Sequence, residues 1–242
     1  MEAAIRENET STFKQGIHSG ISIAIGYFPI ALTFGLLAKS TGLSIFETLL
    51  MSLIVFAGAS QYISLDLLVK GTGMVEIVLT TFIVNIRHLL MSASLNEKVE
   101  KDHPIKKAIY SFGITDETFS VAATKDGPIS SGYMLGLNAI SYFSWVVFSG
   151  CGFIIGASLP DLFRDGMSVA LYAMFIGLLV PSMKGNMKVV YLAAIAAAFN
   201  TIFTFSHLFS QGWAIVIATL LSSILVEVVL KLRNEKGIEQ NG

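Results

Sequence analysis

The sequence predicts an all-α membrane protein of about seven transmembrane helices. Three observations lead there. Of 242 residues, 53% are hydrophobic and only 14% charged, where a soluble domain carries about 25% charged residues. The mean hydropathy is +0.69. The charges are also gathered into short breaks between long apolar runs, which is the pattern of a chain that crosses a bilayer repeatedly. The net charge of −1 gives no basic field for nucleic acid. Cys151 is the only cysteine, so neither an internal disulfide nor a cysteine-built metal site is available. No cofactor motif and no metal-ligand cluster is present, and no cofactor is expected.

Residues 1–15 form a polar tail with three glutamates and no apolar core of a signal peptide. The first span, 16–38, holds Gly16, Gly20 and Pro29. Proline removes a helical hydrogen bond, so the helix is expected to kink or break at Pro29. Either Gly16 and Gly20 make this a close-packed helix, or the break serves a solute, as in many transporters. The second span, 44–69, contains the small stretch Ala57-Gly58-Ala59-Ser60, then Gln61, whose amide can bond across helices. Asp66 lies about one turn from its end, placed either at the interface or for ion coupling.

The third span, 75–95, is the most informative. It is long enough to cross, yet Asn85, Arg87 and His88 sit near its middle. A charge at mid-depth costs roughly 2.5–3.5 kcal/mol on insertion scales. Arg87 either pairs with a carboxylate of another helix or lines a path and reads a substrate carboxylate with its planar fork. His88 either carries a proton or serves as a neutral hydrogen-bonding residue. Residues 96–110 are a polar connection. Residues 111–124 are too short for a comfortable span and carry Asp116 and Glu117, so a re-entrant or surface segment is expected. These two acids are either a solvated helix start or a proton or cation station.

Further spans are predicted at 131–159, 167–181, 189–205 and 213–230, followed by a polar tail at 231–242. Glu227, four residues before Lys231, reads as an interface anchor. With seven spans and residues 96–130 cytoplasmic, eleven Lys and Arg fall inside and four outside, which places the amino terminus outside. A faint internal similarity aligns Tyr27 through Gly58 with Tyr142 through Gly177, with Asn85 and Asn200 in the corresponding third spans. An odd number of spans per unit would make these two inverted three-helix repeats, the arrangement of many secondary transporters.

Pro29 with Phe34-Gly35, Met51-Ser52, Ala57-Gly58-Ala59 with Gln61, Asn85-Ile86-Arg87-His88 and Asp116-Glu117 follow one another in an order and spacing that resembles the AzlC-type large subunit of branched-chain amino acid exporters. The resemblance is strongest over residues 20–120. It implies export of Leu, Ile, Val or analogues across the cytoplasmic membrane of a bacterium. It also implies an ion gradient as the drive and a small membrane partner of the AzlD type.

On this reading Pro29, Gly58, Gln61, Asn85, Arg87 and His88 are candidates for substrate binding or translocation, and Asp66, His88, Asp116 and Glu117 for ion coupling. A zwitterion needs a cation for its carboxylate, which Arg87 could supply, and acceptors for its ammonium. Other classes stay open. A subunit that only supports assembly would carry no solute. An intramembrane enzyme could pair Ser60 with His88 as nucleophile and base, although no Gly-x-Ser-x-Gly or His-Glu-x-x-His is present. A retinal protein would need a lysine deep in the last span, which 213–230 lacks.

Overall fold

The computed structural model describes residues 2–155, 176, 179–180, 183–206 and 209–239. Among them the regular structure is helical: α1 (Glu2–Ser40), α2 (Ile45–Ile54), α3 (Gly58–Val69), α4 (Met74–Asn96), α5 (Pro104–Phe112), α6 (Asp116–Thr124), α7 (Ser131–Ile155), α8 (Met187–Ser206) and α9 (Gln211–Glu239). Five described stretches are long and apolar enough to cross a membrane: Thr12–Ser40, Met74–Asn96, Ser131–Ile155, Met187–Ser206 and Gly212–Lys231. Of the predicted span 167–181, all but residues 176, 179 and 180 lie outside the described residues. The helices fall into two compact units. One holds α1, α2, most of α3, the carboxyl half of α4, and α5 to α7. The other holds the end of α3, the start of α4, and α8 and α9.

The first unit is organised on the pair α1 and α7. A methyl group added at Gly16 would lie 2.1 Å from the Tyr133 carbonyl oxygen, and one at Gly35 would lie 1.9 Å from that of Ser149. From the other side, a methyl at Gly136 would meet the Phe13 carbonyl oxygen at 2.1 Å, and one at Gly152 that of Leu32 at 2.1 Å. Only glycine allows the two backbones to touch in this way. The contacts advance together along both helices, so α1 and α7 run parallel. Inverted copies beginning at α1 and α7 would need them antiparallel. The predicted inverted repeat therefore does not hold in the form drawn from Tyr27 and Tyr142, and Phe163, Phe175 and Gly177 of its second copy lie outside the described residues.

Of the two outcomes expected at Pro29, a kink or a break, the break is absent: α1 continues through it. Carbonyls around the proline accept from side chains. Ser144 Oγ donates to Ala24 O at 2.9 Å, Thr33 Oγ1 to Pro29 O at 2.8 Å, and Tyr62 Oη to Ile30 O at 2.6 Å. Two of these bonds fasten α1 to α7 and to α3 on either side of the proline.

The break falls in the second predicted span. Helix α2 ends at Ile54 and α3 starts at Gly58. Between them Phe56 has φ of 39°, a left-handed conformation that costs a residue with a Cβ roughly 1–2 kcal/mol. The Phe56 ring is buried and meets Tyr142 edge-on at 5.1 Å and Tyr27 at 6.4 Å, and this packing holds the strained turn. The segment turns back on itself. Descending α2 places Leu49 beside Gly150 and Ser52 Oγ 3.0 Å from Ser149 Oγ, and brings Leu53 O to Tyr142 Oη at 2.8 Å. Helix α3 then starts against the Trp145 indole and climbs back, with Tyr62 reaching Ile30 and the Phe34 ring at 5.8 Å. Helices α2 and α3 are a hairpin that returns toward the end of the α1–α7 pair where α2 began.

A second hairpin enters from the opposite end. Helices α5 and α6 are separated by Gly113, Ile114 and Thr115. Their outer ends are tied to one segment. Lys107 Nζ donates to Asn96 Oδ1 at 2.7 Å, and Lys98 Nζ donates to the carbonyls of Ala123, at 2.7 Å, and Lys125. Backbone bonds join Glu100 N to Ile129 O and Ile129 N to Lys98 O, each at 3.0 Å. The re-entrant segment expected at 111–124 is the tip and second arm of this hairpin. Its first arm lies in the supposed polar connection. The two tips meet where the Phe56 and Phe112 rings stand 6.4 Å apart.

In the second unit α8 and α9 pack together, joined by Lys188 Nζ to Glu227 Oε2 at 2.6 Å. The Glu76 carboxylate accepts from Ser210 Oγ and from Trp213 N, the latter at 3.1 Å, at the start of α9. A carboxylate there satisfies unpaired amides and opposes the helix dipole. Glu227 is thus an inter-helix ion-pair partner of Lys188, not one of Lys231.

Candidate functional site

The tips of the two hairpins lie against the middle of α1 and α7, and the carboxyl half of α4 brings its polar residues to them. Thr115 caps α6, accepting from Thr118 N at 3.3 Å. That places Asp116 and Glu117 in the first turn, where the dipole favours negative charge. Arg87 Nη2 reaches Asp116 Oδ2 at 2.9 Å. The two side chains are 34% and 25% exposed, so the pair is accessible without being solvated on all sides. Arg87 Nε is buried with no hydrogen-bond partner among the described residues. The guanidinium therefore keeps a donor unspent, which is costly unless something else takes it.

His88 Nδ1 lies 2.8 Å from Ile114 O, a carbonyl of the hairpin tip freed by the break. A carbonyl only accepts, so Nδ1 carries the proton, and in the neutral ring Nε2 presents its lone pair. Nε2 is buried and also lacks a partner among the described residues. Beside them Tyr27 Oη bonds Glu117 Oε2 at 2.7 Å and Thr115 Oγ1 at 2.8 Å. With the phenol proton given to the carboxylate, Thr115 donates to the phenol oxygen. Tyr27 is 4% exposed, and its ring meets Trp145 edge-on at 5.1 Å. Asn85 Oδ1 accepts from Ser60 Oγ at 2.5 Å and ties α4 to α3.

Of the predicted residues, Asn85, Arg87, His88, Asp116 and Glu117 thus gather at the hairpin tips. Gln61 is fully buried and its amide is committed: Nε2 donates to Ser52 Oγ at 3.1 Å and Oε1 accepts from Trp145 Nε1 at 3.0 Å. Gly58 faces Trp145, where a methyl would lie 2.7 Å from the indole. Both residues hold the first hairpin in place. Pro29 lies inside α1, two residues beyond Tyr27. Asp66 belongs to the other unit and pairs with Lys70 at 2.8 Å. Ser60 and His88 bond to Asn85 and Ile114, not to each other. No group of three His, Cys, Asp or Glu side chains among the described residues could hold a metal ion.

Sequence reasoning missed Tyr27, Thr115 and Trp145. Tyr27 is one more aromatic in an apolar run, with no signal of its own. Thr115 could have been found, since a threonine just before two acids is a helix-start pattern.

Long apolar helices, two opposed hairpins and a charged cluster between the tips define a multi-pass helical membrane protein with a polar centre. The chain belongs to the AzlC protein family, whose match covers residues 22–159 and includes every member of that cluster. It is 32% identical to a membrane protein of Archaeoglobus fulgidus over 80% of this chain and 87% of the other. It is 30% identical to the inner membrane protein YgaZ of Escherichia coli, over 81% and 84%. It is 26% identical to the branched-chain amino acid transport protein AzlC of Bacillus subtilis, over 69% and 66%. No solved structure matches it.

Proposed function

We propose that this chain is the large subunit of a secondary transporter that exports branched-chain amino acids across the cytoplasmic membrane of a bacterium. It carries out no covalent chemistry, is driven by an ion gradient, and works with a small AzlD-type membrane partner. The similarity to the branched-chain amino acid transport protein of Bacillus subtilis supports the substrate class. The observation that carries the mechanism is the Arg87–Asp116 pair at the hairpin tips.

A zwitterion offers one carboxylate and one ammonium. Its carboxylate can replace Asp116 on the Arg87 fork while its ammonium takes Asp116, so neither protein charge is left alone. That matters, because removing one partner of this partly exposed pair costs about 1–3 kcal/mol, whereas replacing both partners at once avoids the penalty. The Nε hydrogen of Arg87 gives the incoming carboxylate a second donor for bidentate contact. Proton coupling runs through His88 Nε2. A proton there creates a second cation next to Arg87, which weakens the hold of the site on ammonium groups and draws Asp116 toward the imidazolium. Glu117, held by Tyr27, is the second acid of the coupling set.

The orientation we infer for the chain rests on charge. At the end of the first unit where α1 and α7 begin, the described cations are Lys14, Lys98, Lys101, Lys106, Lys107 and Lys125. The opposite end carries Lys39. By the positive-inside rule the lysine-rich end faces the cytoplasm. This places the amino end of α1 inside, the reverse of the seven-span reading. The test is efflux from cells loaded with a leucine-containing dipeptide. Leucine leaves faster with this chain and its partner than without them. No difference would leave an assembly subunit as the better reading.

A further inference from the structure

The α1–α7 pair carries a second feature, outside the charged cluster. At its lysine-rich end an open pocket of about 530 Å³ is lined by Lys14, Gln15, His18, Ser19, Lys125 and Tyr133. Its described lining holds two ammonium groups, an imidazole and no carboxylate. None of Lys14, His18 and Lys125 forms a salt bridge among the described residues. Lys125 is fixed in place. Its Nζ stands 5.2 Å from the centre of the buried Tyr133 ring, and its carbonyl accepts from Lys98 Nζ. Uncompensated cations gathered on a rigid wall attract an anion.

Farther along the same helices is an apolar groove of about 360 Å³ between Ile21, Ala24, Ile25 and Phe28 of α1 and Ile140 and Phe148 of α7. Lys14, His18, Ile21, Ile25 and Phe28 recur at helical spacing and share one face of α1. The groove is therefore the continuation of the basic pocket. From His18 to Phe28 the helix rises about 15 Å. This is half of a hydrocarbon core of about 30 Å, the depth of one leaflet. The groove ends at Phe28, whose ring meets Phe148 edge-on at 4.7 Å.

We propose that this groove binds one anionic phospholipid, its phosphate on Lys14, His18 and Lys125 and an acyl chain along Ile21 to Phe28. The argument is the head-to-tail order of a cationic pocket at the membrane rim and an apolar channel one leaflet deep. A soluble phosphate would have no use for the groove, and an apolar helix of a partner would have none for the unpaired cations. Basic pockets between membrane helices on the cytoplasmic side hold acidic lipid headgroups in just this way. The proposal does not depend on what the protein carries.

The full-length protein in detergent, given equal phosphatidylglycerol and phosphatidylcholine of the same acyl chains, is examined by native mass spectrometry. One phosphatidylglycerol is retained, preferred by roughly twenty-five-fold over phosphatidylcholine, as expected for about fivefold from each of the two lysines near the phosphate. The K14A/K125A variant, checked for a monodisperse elution peak, loses that preference. Equal retention of both lipids by the wild-type protein, or an undiminished preference in the variant, overturns the proposal. Phosphatidylglycerol with a photoreactive acyl chain labels the peptide containing Ile21 to Phe28 in the wild-type protein, which needs no variant to fold. Labelling elsewhere, blockage of this labelling by the small partner subunit, or equal stabilisation by inorganic phosphate alone each contradicts a lipid site.

Discussion

Arg87 of α4 and Asp116 at the first turn of α6 are joined at 2.9 Å, and this contact couples a long helix to the tip of a hairpin. Next to it His88 bonds the tip carbonyl of Ile114. A membrane helix carrying a charge needs a reason to keep it. Here the reason is a helix start that presents an acid and exposes a carbonyl at the same place.

The first prediction concerns the pair itself. Arg87→Ala leaves Asp116 without its cation and lowers stability by about 1–3 kcal/mol, below the figure for a fully buried pair because both groups are partly exposed. The double variant R87A/D116A regains most of that loss and still carries no solute. Thermal unfolding of the single and double variants in detergent measures the coupling. Purely additive losses would mean the two groups do not interact.

His88→Gln keeps an amide donor for Ile114 O and removes the basic nitrogen. The expected result is a folded protein whose export no longer responds to an imposed proton gradient, while exchange of substrate across the membrane persists. Counterflow and gradient-driven flux, measured in the same proteoliposomes, separate the two activities. Equal gradient response in wild type and variant would remove His88 from coupling.

Packing makes a third prediction. A methyl at Gly35 would lie 1.9 Å from Ser149 O, a backbone atom that cannot turn aside. Gly35→Ala should cost about 1–3 kcal/mol or more by overpacking. Gly26, where an added methyl would meet nothing within 4 Å, should accept alanine at little cost. Melting temperatures of the two variants test the contrast.

Topology makes a fourth. The hairpin geometry sets Gly42 and Asp126 at opposite ends of the α1–α7 pair, whereas seven simple crossings would put both on the cytoplasmic side. Single cysteines at these positions, in a chain with Cys151 replaced, should react with an impermeant thiol reagent from opposite faces of the membrane. Reaction of both from the same face would argue for the simple crossings.

Much of the site was legible before any fold was known. Asn85, Arg87 and His88 stand out because apolar surroundings make polar residues expensive, and adjacent Asp116 and Glu117 marked a segment too short to span. The hairpins were harder to see. An apolar run such as 44–69 has the same hydropathy whether it crosses or turns back, and what turns it is tertiary: Phe56 caged by Tyr27 and Tyr142, and Gly58 against Trp145. Lys106 and Lys107 disguised α5 as a polar connection, although they sit at the outer end of its arm. At Pro29 the helix continues, and the break falls between α2 and α3, where no proline marks it. Tyr27 shows its role only through partners 88 and 90 residues away, at Thr115 and Glu117.

The central claim is that a substrate carboxylate takes the place of Asp116 on a planar guanidinium. It is tested most directly by leucine export from proteoliposomes containing Arg87→Lys at the wild-type protein level, together with the small partner. Lysine keeps the charge but loses the two-pronged donor, so the expected export rate is lower by about a hundredfold, the scale of a misplaced positioning group. Export at the wild-type rate would contradict the account.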